Sequence, residues 1–200
     1  ITSDECLIKV HSCGVCSSDI YRAFDNGAYF YPLVMGHEFS GKIIKKGSNV
    51  KDFDISDNVS VFPLLPCFDC DSCNGKDYVT CKNYKYYGSR NDGAFSEYIA
   101  VKSWNLIKID KDIDLHDASF LEPLSVVVHG LKKLNFFERS DLAKKKICII
   151  GCGFLGLMIS EILINSFNSN EITLIDRNDF KLSYLDDSKN LNKVVLDSNE

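Results

Sequence analysis

Four cysteines, Cys67, Cys70, Cys73 and Cys81, fall at the spacing C-x2-C-x2-C-x7-C within PCFDCDSCNGKDYVTC. No other feature of the chain limits its folding as sharply. Two-residue gaps let successive thiolates converge on one point from a tight loop, and the longer gap allows one further turn to bring in the fourth. Four sulfurs around one Zn2+ form a closed tetrahedral site, which has a structural and not a catalytic role. The alternative is disulfide bonding, but cysteines this close together meet the geometry of a disulfide poorly.

A second set of candidate ligands is dispersed. GVCSSD supplies Cys16, GHE supplies His37 and Glu38, and FLEPLSVVVHG supplies Glu122. One thiolate, one imidazole and carboxylates from distant segments suit a catalytic Zn2+ that must admit substrate. Each piece alone has a plainer reading. A lone cysteine or histidine packs in a core, and Glu122 before Pro123 suits the first turn of a helix.

The third signal is KKKICIIGCGFLGLMISEILINSF, followed by EITLIDR. Ile147 to Ile150 make a short apolar run fit for a buried parallel strand. Gly151, Gly153 and Gly156 then form G-x-G-x-x-G, and Phe154 and Leu155 open an apolar helical pattern. The glycines permit a tight turn, close approach of a pyrophosphate and close packing of helix on strand. Asp176 ends the next apolar run at the distance from this turn expected of a ribose-binding carboxylate. A carboxylate there accepts hydrogen bonds from the 2′-hydroxyl and repels a 2′-phosphate, so NAD is expected over NADP, with Arg177 beside it able to soften the preference.

In content and order these segments resemble the zinc-containing medium-chain alcohol/polyol dehydrogenase family. EPLSV resembles the sorbitol, threonine and sugar-phosphate dehydrogenase branch, as do FDNGAYFYP, GHEFSG, FPLLPCF and YYGSRNDGAFSEYIAVK. The resemblance implies a chaperonin-10-like distorted β-barrel catalytic domain over residues 1–140. It implies the first part of a Rossmann doubly wound parallel sheet, binding NAD, over 141–200. The activity implied is hydride transfer to NAD from a secondary alcohol of a polyol or polyol phosphate, with zinc lowering the pKa of the alcohol. A threonine-type amino-alcohol dehydrogenase is the alternative, and a non-catalytic zinc-stapled fragment is another. Two zinc ions per intact chain are expected. Cys16 and His37 are implied as ligands of one, with Glu38 or Glu122 ligating directly or through water. Ser18 is implied as a proton-relay hydroxyl and Asp19 as the carboxylate that orients a ligand side chain. Tyr21 stands where simple alcohol dehydrogenases often place a relay histidine. Arg90 and Asn91, in GSRNDG, are candidates to meet a sugar phosphate or a hydroxyl, or else belong to an exposed β-turn.

Composition agrees with an ordinary soluble globular protein: 45% hydrophobic and 26% charged residues, with a net charge of −5 and no basic footprint for nucleic acid. No apolar stretch reaches membrane-spanning length and no signal peptide is visible. With five of the nine cysteines assigned to zinc, Cys6, Cys13, Cys148 and Cys152 read as small core residues, and a reducing cytoplasm is expected. The ends read as mid-domain, so the chain is expected to be part of a longer protein, a homodimer or homotetramer when full length.

Overall fold

The computed structural model describes residues 1–138, 145–167, 171–185 and 191–196. It divides into two compact units, Ile1–Glu122 and Pro123–Glu200. The boundary expected near 140 falls outside the described residues.

The first unit is built on a five-stranded antiparallel sheet in the order β6-β1-β2-β3-β7. The strands are β1 (Glu5–Gly14), β2 (Glu38–Lys46), β3 (Asn58–Val61), β6 (Tyr98–Lys102) and β7 (Leu106–Lys108). Alternation along them buries Cys6, Ile8, Phe39, Ile43, Val59 and Val101 in one core. The pairing of β1 with β2 shifts register twice and then brings Gly14 opposite Glu38. Such irregularities bend a strand and re-aim its side chains. Short helix α1 (Ser17–Phe24) follows β1 directly, so Cys16 and His37 lie near the adjoining ends of β1 and β2.

The cysteine-rich excursion leaves from β4 (Leu64–Leu65), forms the single-turn helix α2 (Asp71–Asn74), and returns through β5 (Lys85–Tyr86), which pairs with β4. A two-turn segment then closes the unit: α3 (Leu115–Ala118), capped by the Asp114 carboxylate, and the start of α4 (Leu121–Lys133).

The second unit alternates β8 (Lys146–Ile150), α5 (Phe154–Phe167), β9 (Glu171–Asp176), α6 (Asp179–Leu182) and β10 (Leu191–Val195). Its strands run parallel in the order β10-β9-β8, the start of a doubly wound sheet. Ile149, Leu163, Ile172, Leu174 and Leu182 form its core. β8 departs from the expectation of a strand buried on both faces. Ile147 and Ile149 pack inward, while Cys148 and Ile150 are exposed, because alternate side chains take opposite faces. Cys148 is therefore not a core residue; Cys6 and Cys152 are, and Cys13 is half-buried.

Candidate metal centres and nucleotide turn

The excursion brings its four sulfurs together. Sγ–Sγ distances are 3.5 Å for Cys67–Cys81, 3.9 Å for Cys67–Cys73 and 3.9 Å for Cys70–Cys81. A tetrahedron with Zn–S of about 2.3 Å has edges of about 3.8 Å, so the donors stand where zinc would need them. They are far beyond the separation of about 2 Å in a disulfide. Backbone amides of Cys73 and Lys82 face the Cys70 sulfur and lower its thiol to about 6. The Cys67 amide, 3.3 Å from the Cys81 sulfur, lowers that thiol too. Burial pushes Cys73 the other way, to about 12. The loop is anchored by rings: Trp104 meets Phe68 at 5.0 Å, Tyr78 at 5.3 Å and Phe62 at 5.9 Å between centroids.

Cys16, His37 and Glu38 form a second group, with ligand atoms all within 4.8 Å of one another. His37 is 6% exposed and Glu38 8%. Two glycines make room for them. A Cβ on Gly14 would lie 2.5 Å from the Glu38 carboxylate. Gly36, at φ +94°, turns the chain into His37, and a Cβ there would lie 2.9 Å from the Cys13 sulfur.

Carboxylates ring this group. Asp19 is 2% exposed; its Oδ2 accepts the Cys16 amide at 3.1 Å, and its Oδ1 faces His37 Nδ1 at 3.6 Å. That gap exceeds a hydrogen bond, so the buried Nδ1 has no hydrogen-bond partner. Burial disfavours the imidazolium, yet Asp19 and Cys16 together raise His37 to about 10. His37 in turn lowers the Cys16 thiol against burial. Glu38 is raised, by burial first and then, despite His37, by the charge of Glu122.

Glu122 is not a member of the three-residue group. Its Oε1 accepts the Tyr86 hydroxyl at 2.9 Å, and the Tyr86 ring packs edge-on against His37 at 5.7 Å. Tyr86 was not singled out in the sequence, although it lies in YYGSRNDG; its phenol is half-buried between Glu122 and His37, and burial and the charge of Glu122 push it far above its ordinary range. Ser18 is half-buried, and its hydroxyl oxygen accepts Arg22 Nη1 at 2.7 Å. Tyr21 is exposed. Arg90 lies against two rings, with Cζ 4.1 Å from the centroid of Tyr29 and 4.4 Å from that of Tyr84.

In the second unit the three glycines differ. Gly151 has φ +93°, which only glycine adopts freely. A Cβ on Gly153 would meet nothing within 4 Å, so space lies open beside it. A Cβ on Gly156 would meet the Gly151 carbonyl at 2.1 Å, so this glycine serves packing. Phe154 and Leu155 are exposed at the first turn of α5. The Asp176 carboxylate, at the end of β9, accepts the amides of Cys152 at 2.7 Å and Asn178 at 2.9 Å, with Lys181 Nζ at 3.6 Å. Arg177 is exposed. A cavity of ≈620 Å³ opens beside the turn, lined in part by Cys152, Gly153, Phe154, Lys181 and Tyr184.

The pattern described as the alcohol dehydrogenase GroES-like domain matches residues 2–111. The chain belongs to that family. It is 39% identical over 180 residues to galactitol 1-phosphate 5-dehydrogenase of Escherichia coli K12, covering 90% of this chain and 50% of that protein. The crystal structure of galactitol-1-phosphate dehydrogenase from Escherichia coli superposes with a TM-score of 0.85 at 36% identity, over 96% of this chain and 54% of that one. An L-threonine 3-dehydrogenase of Bacillus velezensis is 35% identical over 188 residues, 92% of this chain and 52% of the relative. An alcohol dehydrogenase from Escherichia coli CFT073 complexed with NADH has a TM-score of 0.85 at 26% identity, over 98% of this chain and 56% of that one. The chain thus spans about half the length of the relatives it matches. No helix among the described residues is long and apolar enough to cross a membrane.

Proposed function

We propose that the protein carrying this chain is a zinc- and NAD-dependent oxidoreductase that removes hydride from a secondary alcohol of a polyol or polyol phosphate. The observation that carries the reading is the convergence of half-buried Cys16 with buried His37 and Glu38 from a separate segment. The donor set fits zinc: one thiol held toward thiolate, one imidazole whose Nε2 faces Glu38 Oε1 at 4.0 Å, and one carboxylate. When bound, zinc supplies Lewis acidity that eases loss of the alcohol proton.

The remaining work falls to the chain. Asp19 ties the start of α1 to the His37 ring, positioning Cys16 through its amide and His37 through its charge. Tyr86 fixes the Glu122 carboxylate by a hydrogen bond and walls off His37. Ser18 accepts from Arg22, so its own O–H remains a donor, as a proton relay requires. The four sulfurs of Cys67, Cys70, Cys73 and Cys81 would hold a second, structural zinc.

The open space at Gly153, the N-terminus of α5 and the Asp176 carboxylate support binding of NAD, with pyrophosphate over the turn and ribose at Asp176. Galactitol 1-phosphate 5-dehydrogenase as a relative supports the polyol phosphate reading. The threonine dehydrogenase relatives favour a second reading, an amino alcohol as substrate. A panel of hexitols, hexitol phosphates and threonine, offered with NAD to the complete enzyme, tests both through nicotinamide absorbance. Oxidation of threonine alone would overturn the polyol reading.

A further inference from the structure

We propose that Arg90, held against Tyr29 and Tyr84, is the anion-recognition residue of the site in the first unit and selects a substrate ending in a phosphate monoester. This rests on the reading of that site as a polyol dehydrogenase centre.

The placement comes from the backbone. Amides of Ser89, Arg90 and Asn91 all donate to the Tyr86 carbonyl, at 3.3, 3.0 and 3.0 Å. Arg90 is therefore folded back onto the residue whose ring packs on His37 and whose hydroxyl holds Glu122. Tyr29 lies in the segment that joins α1 to His37. That segment is stitched to the Arg90 loop: Val34 N donates to Asp92 Oδ1 at 3.0 Å, and Gly93 N donates to the Val34 carbonyl at 2.7 Å. Arg90 thus belongs to the same shell of chain that carries the candidate ligands.

The chemistry comes from what the guanidinium lacks. Its carbon lies over two aromatic rings, which restrain the long side chain. Among the described residues its N–H groups form no hydrogen bond and no ion pair. The neighbouring acid, Asp92, turns Oδ1 to the Val34 amide and forms no ion pair with Arg90. Aromatic contact satisfies a guanidinium's π system and leaves its planar fork of donors for an oxyanion. Such a pre-positioned fork matches phosphate in two parallel hydrogen bonds. Asp19 and Glu122 flank the candidate ligands, one of which, Glu38, is itself a carboxylate. An anionic substrate approaching those carboxylates needs a fixed cation set apart from them, and Arg90 supplies one that no carboxylate among the described residues pairs with.

The test compares Arg90→Gln and Arg90→Lys with the parent in the complete enzyme, on a hexitol 1-phosphate, the parent hexitol and the corresponding sugar acid. Arg90→Gln should lose on the order of ten- to a hundredfold in kcat/KM on the phosphate and stay within about twofold on the hexitol. Arg90→Lys, which keeps charge without the fork, should recover part of the loss. Inorganic phosphate should compete with the hexitol in the parent and not in Arg90→Gln. Equal losses on phosphate and hexitol would show a residue that merely staples two loops and would overturn the proposal. A larger loss on the sugar acid than on the phosphate would overturn the choice of phosphate. If the enzyme oxidises none of these, the polyol reading fails separately. Titration of this protein with inorganic phosphate, followed at the Arg90 Nε–H resonance, then decides the residue: a saturable shift supports anion recognition, and an unmoved resonance ends it.

Discussion

The two candidate metal centres use similar donors and are built in opposite ways. The four-sulfur group lies within one loop, its sulfurs set by short spacings and by amides of the same loop. The mixed group draws on the end of β1, the start of β2 and, through Tyr86, the start of α4. A metal lost from the first would leave a loop anchored by its short β4–β5 pairing, aromatic contacts and the Asn105 amide on the Leu64 carbonyl. The second lies at the adjoining ends of two paired strands, so its geometry would outlive a metal. A local centre therefore spends its metal on folding, and a long-range centre spends its fold on the metal.

The largest effect should come from breaking the local centre. In Cys81→Ser the protein should lose one equivalent of zinc and about 4 kcal/mol or more of stability, as expected when a structural metal is lost. Trp104 is the single tryptophan of the chain and stands against Phe68 and Tyr78, so its emission reports the loop directly. Metal binding at Cys16 and His37 should persist. Unchanged zinc content and unchanged Trp104 emission would abolish the distinction between the two centres.

A smaller effect should follow from Asp19→Asn, which keeps the size of the side chain and removes the charge facing His37. Metal affinity of the mixed centre, or the activity that depends on it, should fall about 10- to 100-fold, with the four-sulfur loop untouched. An activity equal to the parent's would mean that Asp19 only caps α1 through the Cys16 amide.

The same contrast sets what the sequence reveals. Cys67 to Cys81 are legible because spacing alone fixes which sulfurs can meet. Gly151 to Gly156 are legible because strand, turn and helix are contiguous. Cys16, His37 and Glu38 are individually ambiguous and join only through the resemblance to a family or through the pairing of β1 with β2. Tyr86 escaped notice for a related reason: its partners are at positions 37 and 122, and a tyrosine carries no spacing signature. The clamp on Arg90 needs Tyr29 and Tyr84 from separate loops, so GSRNDG could be read equally as an exposed turn. The exposed face of β8 was misjudged because an apolar run does not say how many faces are covered.

The glycine turn lies between these extremes, since Asp176 reaches it from the next strand. The amides of Asn178 and Cys152, and then Lys181, hold its carboxyl below the usual carboxylate range. A lowered folded-state pKa stabilises the ionised form, so the contribution is fully present above the unfolded value of about 4. It is lost as pH falls through the lower, folded value. Asp176→Asn should therefore lower protection of the Cys152 amide against hydrogen exchange at neutral pH, since a neutral amide oxygen accepts the Cys152 N–H less strongly than a buried carboxylate does. The gap from the parent should close only below about pH 4. The same substitution should weaken NAD binding and narrow its advantage over NADP, since the ribose hydroxyls lose an ionised acceptor. A gap that persisted in acid would show that the amide geometry, and not the charge, holds the turn. An unchanged preference for NAD would mean that the carboxylate serves the turn alone.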